Sequence, residues 1–276
     1  MKMGDFFRHP LAFHHIREQL GAQDWGVFVK NFCLEGSPVP LALSLMCGDG
    51  FHDVLMHQAG VFDHAIGIDD RPDLLATAQT RDALPVDYHC SSPLDAIMGT
   101  LEPGSVQLVY NFLSLGAIQD LDAVVRAASR LLDQDRGVFV YVGYCGSRYG
   151  DMDFKTHAIA KRIAKTMPLL SGEQGEGVVE GCVERIESFF DFENKTSEII
   201  ESTISHFFDS ITVIDLGGTI TPSLLVFALE NYNFSDEKFI SIALLLQVME
   251  LHLIKYKVIP SNMKVIIGKK PKGSLS

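Results

Sequence analysis

The chain has 276 residues, of which 47% are hydrophobic and 21% are charged, and its formal net charge is −12. This size suits one large globular domain or one domain with a lid, and the negative charge argues against general affinity for the phosphate backbone of nucleic acids. The five cysteines are scattered without a Cys-x-x-Cys pair, which argues against a disulfide framework or a zinc site. We therefore expect a cytoplasmic protein that holds no metal and binds a small molecule rather than nucleic acid or a membrane.

The N-terminal segment, residues 6–30, has an amphipathic helical pattern that breaks near Gly21. It lacks the continuous apolar run of a signal peptide. His14 and His15 lie in this segment and either pack on the helix surface or face a reaction centre. Residues 1–36 are predicted to form a helical cap, and residues 37–40 mark the entry to the next domain, because two prolines do not suit a central strand.

Residues 41–50 predict a short buried strand that runs directly into a turn with two glycines, Gly48 and Gly50. Glycine has no Cβ, so the backbone there can adopt a positive φ and lie against a ligand. The apolar residues that follow recur at helical spacing, which places the turn at a helix N-terminus. A strand, a glycine turn and a helix in this order are typical of the first unit of a nucleotide-binding α/β domain.

A second short strand is predicted at residues 65–70, and it ends in two acids, Asp69 and Asp70. An acidic side chain at the end of the second strand is placed to accept hydrogen bonds from ribose hydroxyls. Asp69 is the first candidate for this role, with Asp70 as its rival.

Together these segments resemble motif I and the following acidic motif of the class I S-adenosylmethionine-dependent methyltransferases. That family has an acid in the first strand, then Gly-x-Gly-x-Gly, then hydrophobic-Gly-hydrophobic-Asp and a helix with Pro-x-x-Leu-x-x-Ala. This chain has Ser44 in place of the acid and Met46 in place of the first glycine. The residues that match are Gly48, Gly50, Gly67, Asp69, Pro72, Leu75 and Ala78.

The order of the later elements also resembles this family, from residue 40 to residue 142. The resemblance implies an α/β fold, a Rossmann-like seven-stranded methyltransferase sheet with helices on both faces and helical cover at both ends. The predicted elements are a helix at 72–81, strands at 86–90 and within 103–112, a helix at 118–132, a strand at 138–142, and two last strands at 212–216 and 263–267, the second closed by Gly268.

The resemblance implies S-adenosylmethionine as the cofactor and assigns contacts at the carboxyl ends of the strands. Tyr144, Arg148 and Tyr149, after the fifth strand, are predicted to bind the substrate; Arg148 either grips a substrate carboxylate or forms a surface ion pair. The predicted cofactor contacts are Ser44, Met46, Cys47, Gly48 and Gly50 in the first turn, Asp69 and Asp70 after the second strand, Ser91 and Leu94 after the third, and Asn111 and Phe112 in the fourth.

The remaining regions depart most from the family pattern. A variable lid is predicted at 151–210, after a cofactor-binding core at 37–150 and before the last strands at 211–276. Residues 238–257 predict a helix that is apolar on nearly all sides, but its polar residues make it a poor membrane span. Such a helix forms a homodimer interface, a wall of an apolar pocket, or part of the core. Within the lid, we predict a helix at 151–167, a loop at 172–177 and a further helix or strand at 183–192.

The implied reaction is methyl transfer to a small or medium metabolite by in-line displacement. An oxygen acceptor would need a base, for which His14, His15, His157 and His206 are candidates without a choice among them. One alternative is a methyltransferase fold reused for cyclase or lyase chemistry, or for a non-catalytic partner role. A less favoured one is an NAD(P)-dependent oxidoreductase, because Asp53 stands where Gly-x-Gly-x-x-Gly has its third glycine.

Overall fold

The computed structural model describes residues 17–81, 84–146, 154–171, 197–221 and 237–272. The predictions for His14, His15, Arg148, Tyr149 and the segments 172–177 and 183–192 lie outside these residues, as does the side chain of His157. The chain divides into two compact units. The described part of the larger unit is residues 17–81, 84–145, 197–214 and 264–272, and that of the smaller unit is residues 146, 154–171, 215–221 and 237–263.

The larger unit is built from strands and helices that alternate along the chain. In chain order its elements are α1 (Trp25–Phe28), a π-helical turn (Val29–Cys33), β1 (Val39–Leu45), α2 (Phe51–Gln58), β2 (Phe62–Asp69), α3 (Pro72–Gln79), β3 (Val86–Cys90), α4 (Pro93–Thr100), β4 (Leu108–Phe112), a 3-10 turn (Leu115–Ala117), α5 (Leu121–Leu131) and β5 (Val138–Tyr144). After these come α6 (Phe154–Ser171), a 3-10 turn (Ser197–Ile199), α7 (Ile200–Phe207), β6 (Phe208–Gly217), α8 (Glu237–Lys255) and β7 (Met263–Pro271), of which α6, α8 and the end of β6 belong to the smaller unit.

The seven strands form one sheet in the order β3-β2-β1-β4-β5-β7-β6. The five strands from β3 to β5 pair in parallel, so their carboxyl ends lie at the same edge. The chain moves outward from β1 to β3 on one side and then crosses to β4 on the other. This reversal between β1 and β4 creates a crevice at their carboxyl ends, where open α/β sheets bind ligands.

Burial explains why these strands take central positions. Every residue of β4 and β5 is buried, as expected for parallel strands covered on both faces. On one face, Leu43 and Leu45 of β1 join a core cluster with Val124, Val125 and Ala128 of α5. The seven-stranded α/β fold predicted from the sequence is confirmed.

Two local predictions are wrong, and one helix was not predicted. Pro40 lies within β1, a central strand, and the missing N–H is tolerated because pairing with β4 begins only at Ala42. Gly268 lies inside β7 rather than closing it; a Cβ there would lie 2.6 Å from Cγ of Phe208, so glycine makes room for that ring. The segment after β3 forms helix α4, whose signals were Pro93 at its first turn and Ser92, which accepts a hydrogen bond from the N–H of Asp95.

The smaller unit contains the predicted apolar helix, which the structure places at α8. This helix buries Ala243 and Leu246, yet Leu245 and Val248 are about half exposed at 49% and 52%. An apolar stripe on its surface is therefore open to a further contact, and the homodimer through residues 238–257 stays a prediction. Within the described part of the chain, no helix is long and apolar enough to cross a membrane.

Candidate functional site

The turn between β1 and α2 holds the backbone in a conformation that two glycines provide. Gly48 and Gly50 have φ angles of +61° and +73°. The N–H of Cys47 donates to the carbonyl of Ile68, which fastens the turn to β2, and the N–H of Gly50 donates to the carbonyl of Cys47. The turn therefore lies at the carboxyl edge of the sheet, directly before the first turn of α2.

The two glycines serve different purposes. Among the residues that the structure describes, only Arg71 comes within 4 Å of where a Cβ on Gly48 would stand, with its Nη2 at 3.9 Å, so none of them fills the space beside this position. A Cβ on Gly50 would lie 2.6 Å from the hydroxyl oxygen of Tyr88. Gly48 thus leaves room for a ligand beside the backbone, whereas Gly50 makes room for a side chain of the protein itself.

Met46, at the position of the first family glycine, has a φ of +52°. The left-handed conformation costs an ordinary residue roughly 1–2 kcal/mol. We expect Met46→Gly to have a free energy of unfolding about 1 kcal/mol higher than Met46→Ala, because both variants lose the side chain and only glycine relieves the strain. The measurement is urea unfolding of both proteins. At Cys47, where φ is not positive, the glycine variant should instead be the less stable of the pair. The same order at both positions would contradict the prediction.

Asp69, at the end of β2, is fully buried and accepts four hydrogen bonds from its own chain. Its Oδ2 accepts from the N–H of Gly48 at 2.8 Å and from Nη2 of Arg71 at 3.0 Å. Its Oδ1 accepts from the N–H of Arg71 at 3.0 Å and from Nε of Arg71 at 2.9 Å. The hydrogen bonds to Asp69 raise the pKa of the Arg71 guanidinium. Asp69 therefore ties the glycine turn to the start of α3, while Asp70 beside it is exposed.

Beneath the turn lies a buried carboxyl group that sequence reasoning missed. Asp53 of α2 is 1% exposed; its Oδ1 accepts from Ser44 Oγ at 2.7 Å and from the Tyr110 hydroxyl at 2.8 Å, and its Oδ2 accepts from the Tyr88 hydroxyl at 3.1 Å. Burial raises the pKa of Asp53, although the three hydroxyl donors oppose this shift. Ser44, which replaces the family acid, is thus the partner of an acid supplied by the next helix.

Comparison with known proteins identifies the fold that carries this site. The sequence matches no protein-family model and no curated protein. Among solved structures, phosphoethanolamine N-methyltransferase 2 of Haemonchus contortus is 16% identical and superposes with a TM-score of 0.53 over 99% of this chain and 61% of that chain. The [4+2]-cyclase SpnF is 13% identical, with a TM-score of 0.51 over 89% of this chain and 79% of that chain. The chain has the fold of the class I S-adenosylmethionine-dependent methyltransferases. A Listeria monocytogenes protein assigned as an S-adenosylmethionine-dependent methyltransferase is 24% identical, with a TM-score of 0.35. The match covers 39% of this chain and 46%, about half, of the Listeria protein.

In this methyltransferase fold, Asn111 lies where it was predicted, at the end of β4, but its amide is engaged within the protein. Its Nδ2 donates to the carbonyl of Leu45 at 2.6 Å and to Ser114 Oγ at 2.8 Å. Its Oδ1 accepts from the N–H groups of Ser114 and Leu115, both at 3.2 Å. Asn111 therefore holds the ends of β1 and β4 together beside the crevice.

The other predicted contacts surround the same edge of the methyltransferase sheet. Phe112 is 8% exposed and stacks on His52, with ring centroids 4.2 Å apart. Ser91 donates its N–H to the carbonyl of Asp69, and Leu94 packs against the core cluster. Burial raises the pKa of Tyr144, whose carbonyl accepts from the Tyr141 hydroxyl at 3.0 Å. Direct contact of these residues with a ligand stays a prediction.

Proposed function

We propose that the protein is a cytoplasmic enzyme that binds S-adenosylmethionine at the glycine turn and transfers its methyl group to a small or medium metabolite. The observation that carries the proposal is the pairing of the open Gly48 backbone with Asp69, which lies at the end of the neighbouring strand and accepts the Gly48 N–H at 2.8 Å. The Haemonchus contortus protein with this fold is a methyltransferase solved with S-adenosyl-L-methionine, which supports the same cofactor here.

The residues fit this cofactor at the turn. Gly48 leaves space where a side chain would otherwise stand, and Asp69 follows the second strand, where an acid can accept hydrogen bonds from ribose hydroxyls. Ser91 and Leu94 are the candidates for the adenine ring. Asp69 fits only after Arg71 releases it, because Arg71 holds both carboxylate oxygens.

The bound cofactor supplies a methyl group that its sulfonium already activates. The chain then contributes mainly by aligning the acceptor in line with that methyl group. Of the candidate bases, His206 alone has a side chain that the structure describes, and it is exposed on α7 with its ring against Phe207. We therefore assign no general base, and the proposal holds for acceptors that need none as well as for those that do.

Calorimetric titration with S-adenosylmethionine, S-adenosylhomocysteine and NADH tests this proposal. We expect the first two to bind, and Asp69→Asn to weaken that binding by about 10- to 100-fold, since a charged acceptor of two hydroxyl groups is lost. Asp63→Asn is the matched control, because Asp63 is exposed near the start of the same strand, β2, at the end opposite Asp69, and it should bind as the wild type does. The proposal would be overturned if neither S-adenosylmethionine nor S-adenosylhomocysteine bound, or if NADH alone bound.

A second candidate function is a methyltransferase fold reused for cyclase or lyase chemistry, or for a non-catalytic partner role. Met46, with its positive φ in place of a glycine, and the similarity to a cyclase structure favour it. Protein that retains S-adenosylmethionine but methylates no acceptor in a broad screen would support this alternative. An NAD(P)-dependent oxidoreductase is less supported, because the buried Asp53 fills the place of the third glycine.

A further inference from the structure

Arg71 covers the carboxylate that the proposed cofactor needs. Its guanidinium bridges both oxygens of Asp69, with Nε 2.9 Å from Oδ1 and Nη2 3.0 Å from Oδ2. The side chain of Asp69 is 0% exposed, whereas that of Arg71 is 50% exposed. A ligand approaching from solvent therefore meets the guanidinium before it meets the carboxylate.

We propose that Arg71 and the ribose hydroxyls of a nucleoside ligand compete for Asp69, so that Arg71 sets the affinity of this site. The proposal rests on the proposed function, because it takes the ligand to contain a ribose. Release of Arg71 would leave Asp69 with the N–H of Gly48 on Oδ2 and the N–H of Arg71 on Oδ1. Each oxygen would then have one acceptor position free, which matches two adjacent hydroxyl donors.

The surroundings of Arg71 allow its side chain to leave. Arg71 lies directly before α3, and two exposed acids, Asp70 and Asp73, are close enough to interact with the positive charge of its guanidinium. These carboxylates offer the released guanidinium other partners in solvent. When the Arg71 side chain leaves, its ion pair with Asp69 is replaced by a solvent-screened ion pair with Asp70 or Asp73. The backbone N–H groups that donate to Asp69 stay in place.

A purely structural ion pair predicts the opposite effect of mutation. If Arg71 only holds the turn in shape, its removal would weaken nucleoside binding or leave it unchanged. If Arg71 competes with the ligand, its removal strengthens binding. The protein molecules whose Asp69 is free of Arg71 can bind the ligand, and in the variant they are no longer a minor population.

Adenosine is the sharpest probe, since it has a ribose and no charged group with which Arg71 could form an ion pair. We expect Arg71→Ala to bind adenosine about tenfold more tightly than the wild type in calorimetric titration. Arg71→Lys should fall between the two, because an ammonium does not bridge two oxygens in a fixed geometry. The matched control is Arg81→Ala, which removes an arginine bound to Asp49 of the same turn and should give no gain.

Two further titrations separate the outcomes. In the wild type, raising salt from about 0.05 to about 0.5 M should strengthen adenosine binding by screening the ion pair, and Arg71→Ala should lose this dependence.

If Arg71 instead binds the carboxylate of the ligand, Arg71→Ala would weaken the binding of S-adenosylhomocysteine and leave the binding of adenosine unchanged. If the wild type binds adenosine and Arg71→Ala binds it no more tightly, the competition would be overturned and the proposed function would stand. Absence of binding to either compound in all variants would overturn the proposed function and the competition with it.

Discussion

Replacing Glu250 with alanine is expected to lower the free energy of unfolding of the smaller unit by about 4 kcal/mol. Glu250 lies on α8 and is 4% exposed. Its Oε2 accepts from the N–H of Gly218 at 3.1 Å. Its Oε1 accepts from the N–H groups of Thr219 at 2.8 Å, Thr221 at 3.1 Å and Ile220. Alanine would remove the carboxylate that accepts from these four buried donors.

The variant Glu250→Gln separates charge from shape. Its amide oxygen can replace Oε1, but its NH₂ group would face the N–H of Gly218, so we expect a loss of about 2 kcal/mol. Glu201→Ala is the control, because Glu201 forms a partly exposed ion pair with Lys264, and it should cost less than about 1 kcal/mol. Urea unfolding gives the free energies, and hydrogen exchange at residues 218–221 gives the local effect. Unchanged protection of these amides in Glu250→Ala would contradict the assigned role.

Asp53 is expected to make stability fall as pH rises. Burial raises the pKa of this carboxyl group in the folded protein above its value of about 4 in the unfolded chain. Between these two pKa values the native state binds more protons than the unfolded state, so the free energy of unfolding decreases with rising pH, by at most about 1.4 kcal/mol per pH unit. Asp53→Asn has no proton to lose and should not show this slope.

The test measures urea unfolding of the wild type and Asp53→Asn from about pH 3.5 upward, the range in which an ordinary aspartate titrates. The asparagine variant should gain stability relative to the wild type above about pH 4. Asp63→Asn, at an exposed position of β2, should follow the wild type throughout. Asp53→Ala should cost about 3 kcal/mol, because Ser44, Tyr88 and Tyr110 would lose their acceptor. Parallel curves for the wild type and Asp53→Asn would refute the raised pKa.

Local patterns in the sequence predicted the frame of the site. The strand before Gly48 and the strand before Asp69 were visible because apolar runs end in glycine and in acid, and their positions in the sheet agree with the prediction. The sequence offered no comparable signal for Arg71, whose role depends on a side chain folding back over a residue two positions earlier.

The interactions that sequence reasoning missed join residues whose pairing no local period reveals. Ser44 was interpreted as the loss of an acid, but Asp53, nine residues later, returns a carboxyl group to it from the next helix. Glu250 is one of the polar residues for which the segment 238–257 was judged a poor membrane span, but it accepts hydrogen bonds from the N–H groups of a segment about thirty residues away. In both cases a buried polar residue was the visible clue, and its partner was set by tertiary structure.

The strand order has a consequence for synthesis on the ribosome. In the finished sheet β5 lies between β4 and β7, yet β7 begins at Met263, which is 119 residues after Tyr144 ends β5 (263 − 144). At ordinary elongation rates this interval lasts roughly 10 s. During that time β5 is an unpaired edge rich in valine and aromatic residues, the kind of strand that recruits other chains. The nascent protein therefore exposes this edge after its proposed cofactor site has emerged and before its last strands have been made.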